Sequence, residues 1–241
     1  TGEPNYEKAF ELFSMAAEKD SGDAMYNLGN MYFIGKGVTE DYARAFEWYK
    51  KAAEKGNADA MYWLAEMYYY GKGVSWNFAR AIEWYTKAAE NGDADAMYKL
   101  GNMYYNGRGV TQDYARAFEW YKKAAEKGNA DAMDDLGNIY RNGRGVTQDY
   151  ARAFEWYKKA AEKGNGDAMF GLGYMYNNGY GVTQDYARAF EWYKKAAEKG
   201  EMMAMFFLGE MYKNGDGVAR DKQKAKEWKR KAKAALREIG K

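Results

Sequence analysis

The side chains that could perform chemistry in this sequence are carboxylates, tyrosines and lysines, because its 241 residues include no histidine and no cysteine. One carboxylate pair stands out: Asp134 and Asp135 are adjacent, and Arg141 follows two helical turns later. Paired carboxylates can serve general acid–base catalysis. Nothing in the sequence orients this pair, and no similar pair recurs at equivalent positions of the chain. We therefore interpret it as a contact to a partner's lysine or arginine, or as a solvated surface.

The absence of cysteine and histidine excludes several classes of site. Disulfides, thiol redox chemistry and zinc sites built from cysteine and histidine are impossible, as are Ser-His-Asp and Cys-His catalysis. We predict a protein that is not an enzyme and needs neither a metal nor a cofactor. Because no side chain has an ordinary pKa between pH 5 and 8, folding and binding should be nearly independent of pH in that window.

The charge and hydropathy patterns argue against nucleic-acid and membrane partners. The chain has 37 Lys and Arg against 35 Asp and Glu, a net charge of +2, which does not indicate a polyanion binder. A basic stretch at residues 219–241 is interpreted as the polar cap that a repeat protein needs for solubility. No apolar run has the roughly 18 residues that a membrane span requires. We predict a soluble protein without a targeting signal, in which residues 1–4 are a cloning remnant.

A block of 36 residues repeats along the chain, with the pattern A-M-x-x-L-G-x-M-Y-x-x-G-x-G-V followed by a segment that contains A-F-E-W-Y-K-K-A-A. A fixed period of this size is the signature of a helical repeat protein. The recurring leucines are Leu28, Leu64, Leu100, Leu136, Leu172 and Leu208, and the recurring tryptophans are Trp48, Trp84, Trp120, Trp156, Trp192 and Trp228.

Each repeat is predicted to contain two helices joined by a glycine-rich turn. In the third repeat the first helix should cover about residues 96–105, with Asp95 as its N-cap, and end at the Gly-x-Gly turn of residues 107–109. The second helix should cover residues 113–127, with Gly128 as its stop. The N-caps predicted for equivalent first helices are Asp23, Asp59, Asp131 and Asp167.

With these features the chain resembles the Sel-one-like repeat family, a relative of the tetratricopeptide repeats, over about residues 5–235. The resemblance implies an all-α fold, a right-handed α-solenoid of 36-residue helix-turn-helix repeats whose first helices line a concave surface. It also implies a protein-interaction scaffold. Unlike the cysteine-rich, secreted members, this chain has no cysteine. The residues that carry the resemblance in the third repeat are Leu100, Gly101, Tyr104, Gly107, Gly109, Val110, Ala117, Trp120, Tyr121, Ala124, Ala125 and Gly128.

We predict a single solenoid domain over residues 1–241 with three parts. Residues 5–19 form an N-terminal half repeat, which is one extra second helix. Residues 23–218 contain six first helices with five second helices between them, and residues 219–241 form the C-terminal polar cap helix. The chain should therefore contain seven second helices and six first helices.

Differences between the repeats are concentrated in the first helix. Residues 110–129 are identical to residues 146–165, and residues 182–200 repeat the same segment again. Faithful copying of exposed positions favours a consensus design, or a gene that duplicated its repeats. Five positions of each first helix vary instead, at offsets 0, 1, 4, 7 and 8. They fall within an arc of about 120° on one face of a helix, which we name the variable face, and the resemblance places that face on the concave surface.

We predict that the variable face binds one protein partner. Trp63 is the principal candidate because its equivalents include Lys99 and Asp135, so the position is not a closed core site. We expect such residues to contact a partner without contacting the next repeat, whereas Tyr32, Trp48 and Tyr49 and their copies should form the shared core. The candidate binding residues are Tyr26, Asn27, Asn30, Phe33, Ile34, Tyr62, Trp63, Glu66, Tyr69, Tyr70, Trp76, Tyr98, Lys99, Asn102, Tyr105, Asp134, Asp135, Asn138, Arg141, Phe170, Tyr174, Met203, Phe206, Phe207 and Glu210.

Three interpretations of function stay open at the level of the sequence. The first is an engineered, consensus-like binding protein, monomeric by itself, whose partner presents an apolar patch. The second is a natural bacterial adaptor with recently duplicated repeats. An enzyme is the third and the weakest. For Trp76, in a loop where other repeats have polar residues, a partner contact and local packing are both open. Met203 replaces a predicted capping aspartate, which indicates a compensating gain at the surface.

Overall fold

The computed structural model describes residues 5–239, and this part of the chain forms thirteen α-helices and no β-strand. The predicted all-α architecture of helix-turn-helix repeats is confirmed, with seven second helices and six first helices among the described residues. Residues 1–4, the predicted cloning remnant, and residues 240–241 of the predicted cap lie outside the described residues. None of the helices in the described part is both long and apolar enough to cross a bilayer.

The helices alternate between the two kinds. The second helices are α1 (Tyr6–Glu18), α3 (Tyr42–Glu54), α5 (Phe78–Glu90), α7 (Tyr114–Glu126), α9 (Tyr150–Glu162), α11 (Tyr186–Glu198) and α13 (Lys222–Ile239). The first helices are α2 (Gly22–Ile34), α4 (Ala58–Tyr70), α6 (Ala94–Asn106), α8 (Ala130–Asn142), α10 (Gly166–Asn178) and α12 (Met202–Asn214).

The chain divides into two compact units, residues 1–127 with helices α1 to α7 and residues 128–241 with helices α8 to α13. Within each unit every helix packs against the next one in sequence. Such nearest-neighbour packing is typical of solenoids, in which each repeat is stabilised by its own contacts and by those with its neighbours. That the whole chain forms one solenoid domain stays a prediction.

The first helices begin earlier than predicted, so their N-caps differ. In α6 the Asp93 side chain accepts a hydrogen bond of 2.7 Å from the backbone N–H of Ala96. Asp95 lies in the first helical turn, where a carboxylate favours the positive end of the helix dipole. The prediction of Asp95 as a cap is therefore wrong. It is also wrong for Asp23, Asp59, Asp131 and Asp167, since the caps are Ser21, Asn57, Asn129 and Asn165.

Two of these first-turn aspartates connect consecutive repeats. The Asn57 side-chain amide donates a hydrogen bond of 2.8 Å to Asp23, and Asn165 donates one of 2.8 Å to Asp131. The cap of one first helix is thus bound to the first turn of the preceding first helix. This contact accounts for an aspartate at that position better than a capping role does.

The second helices end and begin as the sequence indicates. Asp113 is the N-cap of α7, where its carboxylate accepts a hydrogen bond of 3.0 Å from the Arg116 N–H. Beyond the end of this helix Gly128 has a φ of 95°, a conformation that glycine adopts without strain. In the preceding turn Gly109 approaches α5 so closely that a Cβ would lie 2.5 Å from the Cβ of Phe78. Glycine is therefore required there for packing as well as for its φ of 74°.

In each second helix from α3 to α11, one tyrosine forms the centre of the shared core. Tyr121 is 1% exposed, and its hydroxyl donates a hydrogen bond of 2.8 Å to Asn102. Gly101 makes room for the ring, since a Cβ there would lie 2.6 Å from Cδ1 of Tyr121. The equivalent residues Tyr49, Tyr85, Tyr157 and Tyr193 are equally buried, which confirms the core prediction for this position.

The recurring tryptophan beside this tyrosine is not part of the closed core. Trp120 is only half-buried, and the ammonium of Lys123 lies 4.3 Å from its ring centroid. The same lysine–tryptophan contact recurs in α3, where Lys51 lies 4.4 Å from Trp48. The prediction of Trp48 and its copies as shared core is therefore wrong. These tryptophans are partly exposed rings that lysines cover by cation–π contact.

The last first helix lacks a side-chain cap. Glu201 occupies the N-cap position of α12 and makes no side-chain capping hydrogen bond. The cap is thus lost at Glu201, whereas Met203 replaces a first-turn aspartate. The following helix α13 covers the end of the second unit with Ala225 and Ala232 buried, while most of its lysines are exposed.

Candidate functional site

The variable face is neither uniformly exposed nor closed. Five predicted binding residues are exposed, namely Ile34, Tyr70, Trp76, Met203 and Phe206, and Asp134 is buried. The others are half-buried, namely Tyr26, Asn27, Asn30, Phe33, Tyr62, Trp63, Glu66, Tyr69, Tyr98, Lys99, Asn102, Tyr105, Asp135, Asn138, Arg141, Phe170, Tyr174, Phe207 and Glu210. On such a face many side chains expose one edge to solvent, while their other edge packs inside the protein.

The second position of the variable face packs on the preceding repeat. The ring of Trp63 stacks on that of Tyr49 with centroids 6.3 Å apart, and it lies 5.3 Å from Phe33. In the second unit Phe207 stacks in the same way on Tyr193 at 5.1 Å. The expectation that residues of this face do not contact the next repeat is therefore wrong for Phe33, whose ring meets that of Trp63. Their rings join repeats, and only their outer edges are available to a partner.

Aromatic side chains form a continuous patch on the first unit. The ring centroid of Tyr69 lies 4.8 Å from that of Tyr70 and 5.2 Å from that of Phe78. The ring centroid of Trp76 lies 5.4 Å from that of the same Phe78. Trp76 is thus connected to the variable face through Phe78, while 69% of its surface stays exposed. Exposed aromatic surface of this extent is typical of interaction sites.

The residue at the third position of the variable face accepts a hydrogen bond from the buried tyrosine of the same repeat. Asn30 accepts the hydroxyl hydrogen bond of Tyr49 at 2.8 Å, and Asn138 accepts that of Tyr157 at 2.9 Å. Glu66 accepts the corresponding bond from Tyr85 and also forms an ion pair of 2.9 Å with Lys99. These residues therefore have a structural function in addition to the predicted one.

The fifth repeat breaks this pattern, because Tyr174 stands where the other repeats place an amide or a carboxylate. The buried hydroxyl of Tyr193 then has no hydrogen-bond partner among the described residues. A buried unsatisfied hydroxyl costs about 1–3 kcal/mol. The chain thus carries a tyrosine on its variable face at the expense of a core hydrogen bond.

Replacing Tyr174 by asparagine should restore this bond and raise the free energy of unfolding by about 1 kcal/mol or more. Chemical denaturation monitored by circular dichroism measures the change. Tyr174→Ala is the control, since it removes the same ring without supplying an acceptor. Equal stability of the two variants would contradict the assignment.

An aromatic cavity of about 430 Å³ opens beside Tyr174 in the second unit. Arg141 lies at its edge with its guanidinium carbon 5.7 Å from the ring of Tyr174. Tyr150 and Tyr180, which stack on each other at 4.8 Å, also line it. Neither residue is among the binding residues predicted from the sequence. Tyr180 could have been found, because the other repeats carry Lys, Arg or Asp at the middle of this Gly-x-Gly turn.

The two carboxylates of the pair lie in different surroundings, since Asp134 is buried and Asp135 is half-buried. Asp134 is 9% exposed and accepts a hydrogen bond of 2.9 Å from Asn138. Burial, together with the charges of Asp135 and Asp167, raises the pKa of Asp134 to about 8. Burial also raises the pKa of Glu201 to about 7, with a further contribution from Asp167. These raised pKa values predict that folding depends on pH between pH 5 and 8, against the expectation of near independence, because sequence alone does not reveal that Asp134 is buried and Glu201 partly buried.

Within the described residues, no group of three or more acidic side chains is arranged to hold a metal ion. The arrangement offers aromatic edges, hydrogen-bonding groups and a few charges along the first helices. Its chemistry suits recognition of another surface.

Comparison with known protein families gives a match over nearly the whole length of the chain. A family model described as Sel1 repeat matches seven segments, residues 1–21, 22–57, 58–93, 94–129, 130–165, 166–201 and 203–235. No curated protein matches.

Solved structures show the same arrangement. The chain is 41% identical to c5321, a protective antigen of uropathogenic Escherichia coli with an SLR fold, at a TM-score of 0.88; the match covers 93% of this chain and 48% of c5321. The chain thus spans about half the length of that antigen. A Sel1 repeat protein from Oxalobacter formigenes is 36% identical, with a TM-score of 0.86 and coverage of 94% of this chain and 91% of that one. The immunity protein Pa5087 from Pseudomonas aeruginosa, 23% identical with a TM-score of 0.52, shares the fold over 89% of this chain and 81% of its own length.

Proposed function

Because the chain belongs to the Sel1 repeat family, whose members are protein-interaction scaffolds, we propose that it is a non-enzymatic scaffold that binds one protein partner through the variable face. The proposal needs no cofactor and no metal.

The proposal is supported by one observation: positions that vary between the repeats also carry exposed aromatic side chains. The second helices α3, α7, α9 and α11 are identical in sequence, and the tyrosine that recurs in them at Tyr49, Tyr121, Tyr157 and Tyr193 is buried. The first helices differ along one face, where 59% of the surface of Tyr70 and 45% of that of Phe206 are exposed. Exposed aromatic residues add nothing to the shared core, and aromatic anchors supply much of the binding energy in protein interfaces.

The variable face also indicates the kind of partner. Repeats one, two and six present aromatic and aliphatic side chains, which favours a partner with an exposed apolar patch. Repeat four presents the half-buried Asp135, which favours positive charge on the partner at that place. The balanced net charge of +2 argues against nucleic acid. We propose that the protein is monomeric until it meets this partner.

Two origins are compatible with this function. The identical segments 110–129 and 146–165 favour a consensus-like engineered binder. Identity of 41% with a bacterial antigen and 36% with a second bacterial Sel1 repeat protein favours a natural adaptor with duplicated repeats just as well. The proposed binding mode is the same for both.

Affinity capture with purified variants tests the proposed function. Once wild-type chain has captured a partner, Tyr70→Ala and Phe206→Ala should each weaken its binding, and the double variant should weaken it at least about 30-fold, the effect of losing about 2 kcal/mol. Both side chains are largely exposed, so the melting temperature should stay nearly unchanged.

The matched control is Leu12→Ala, because Leu12 is an apolar residue of α1 with a similar exposed fraction of 56% that lies outside the variable face. Its affinity should equal that of the wild type. If the Leu12 variant loses the partner while the double variant retains it, the variable face is not the binding surface.

A further inference from the structure

At one position of the variable face the side chain is missing and a slot opens. Gly171 is the second variable position of α10, where repeats two, three and six carry Trp63, Lys99 and Phe207. A cavity of about 290 Å³ lies there, lined by Asp134, Asn138, Arg141, Tyr157, Asp167 and Phe170 together with Gly171. All these residues belong to the second unit.

The equivalent positions show what this slot is shaped to hold. The rings of Trp63 and Phe207 stack on the buried tyrosine of the preceding repeat, with interplanar angles of 15° and 23°. At Gly171 a Cβ would lie 3.0 Å from the ring atoms of Tyr157, so the slot reaches the same part of the tyrosine. A flat or linear side chain is therefore the kind of group that fits.

The third repeat shows which group fills the position when a carboxylate lines it. Lys99 extends from this position towards the preceding first helix and pairs with Glu66 at 2.9 Å. In the slot at Gly171 the preceding first helix again supplies a carboxylate, that of Asp134. The chain thus contains an internal example of a cation bound to a carboxylate at this position.

The charges around the slot favour a cation. Asp134 is hydrogen-bonded to Asn138 of its own helix. Its burial raises its pKa, and the charges of Asp135 on α8 and Asp167 on α10 raise it further. Arg141 on α8 opposes them, and α9 contributes the phenol of Tyr157. Two carboxylates, those of Asp134 and Asp167, and one guanidinium therefore line the slot. A second cation would stabilise the ionised form of Asp134.

We propose that the slot formed by Gly171, Tyr157 and Asp134 receives a lysine or arginine side chain of the protein partner. The ammonium or guanidinium pairs with Asp134, and the aliphatic stem packs against Tyr157 and Phe170. A guanidinium can in addition lie flat on an aromatic ring. The identity of the donor rests on the proposed function, whereas the chemistry of the slot can be measured on the chain alone.

The first experiment fills the slot from within, by comparing Gly171→Lys with Gly171→Gln. Both variants remove a helical glycine and add a long side chain, so they differ mainly in charge. At pH 9, where Asp134 is ionised, the lysine variant should melt at least about 3 °C above the glutamine variant. At pH 5, where protonation of Asp134 competes with the ion pair, the difference should fall to less than half. An Asp134→Asn background should abolish the pH dependence of this difference.

The second experiment fills the slot from outside, by calorimetric titration of the wild type at pH 9. Nα-acetyl-arginine amide should bind at least about tenfold more tightly than the neutral Nα-acetyl-norleucine amide, and Gly171→Gln should abolish this preference. Equal binding of the two probes, or a melting difference that is the same at both pH values, would overturn the slot assignment. Neither result depends on the captured partner, so the proposed function stands or falls separately.

Discussion

Replacing Tyr121 by alanine should lower the free energy of unfolding by about 3–5 kcal/mol, the cost of removing a large aromatic side chain from a core. The ring is 1% exposed, packs on Gly101, and its hydroxyl is bonded to Asn102. The adjacent Trp120 is half-buried under Lys123, so Trp120→Ala should cost less than half as much. Urea unfolding followed by far-ultraviolet circular dichroism measures both variants.

Tyr121→Phe separates the ring from the hydroxyl. It retains the packing and loses one hydrogen bond, so it should cost only about 1–2 kcal/mol, part of which is the Asn102 oxygen left without its partner. If Trp120→Ala is as destabilising as Tyr121→Ala, the tryptophan belongs to the core as its regular spacing first indicated, and the assignment from burial fails.

The stability of the wild type should fall by a few kcal/mol as the pH rises from about 4 to 9, because Asp134 is more readily protonated in the folded chain than in the unfolded one. An unfolded aspartate has a pKa of about 3.9, whereas that of Asp134 in the fold is raised to about 8. The folded state binds more protons between these values, so the stabilisation present at low pH is lost as the pH rises through about 8. Each pKa unit corresponds to about 1.4 kcal/mol.

The control for this prediction is Asp134→Asn, which keeps the shape and cannot ionise. The difference in unfolding free energy between wild type and variant should change with pH in favour of the variant, most steeply on the way to pH 8. Glu201, whose pKa is raised to about 7, contributes in the same direction in both proteins and cancels in the difference. Parallel curves for the two proteins would show that Asp134 ionises normally.

The period and composition of the repeat are enough to predict the helices, because a 36-residue pattern repeated six times leaves little freedom for the backbone. They do not reveal which of two adjacent aromatic residues is buried. Trp120 and Tyr121 recur equally well, and only the direction of each side chain from α7 separates them. The N-caps were predicted wrongly for a similar reason. Asp93 and Asp95 are both suitable capping residues, and only the point at which the helix begins decides between them.

The candidate site was predicted as a set of positions, whereas its chemistry depends on contacts between repeats. Offsets along the first helix identify the variable face without structural information. They do not show that Trp63 stacks on Tyr49, that Tyr174 leaves the hydroxyl of Tyr193 without an acceptor, or that Asp134 is buried. The first two features join residues 14 and 19 positions apart in sequence, and all three depend on how helices pack.

The central claim, that the variable face contacts a protein partner, is tested most directly by photo-crosslinking. A benzophenone amino acid placed at Tyr70 reports on the variable face of the first unit, and the same amino acid at the exposed Lys122 of α7 reports on a second helix. After irradiation of cells that contain the partner, the Tyr70 position should yield one dominant crosslinked protein and the Lys122 position little or none. A strong crosslink from Lys122 with none from Tyr70 would contradict the assignment of the variable face as the binding surface.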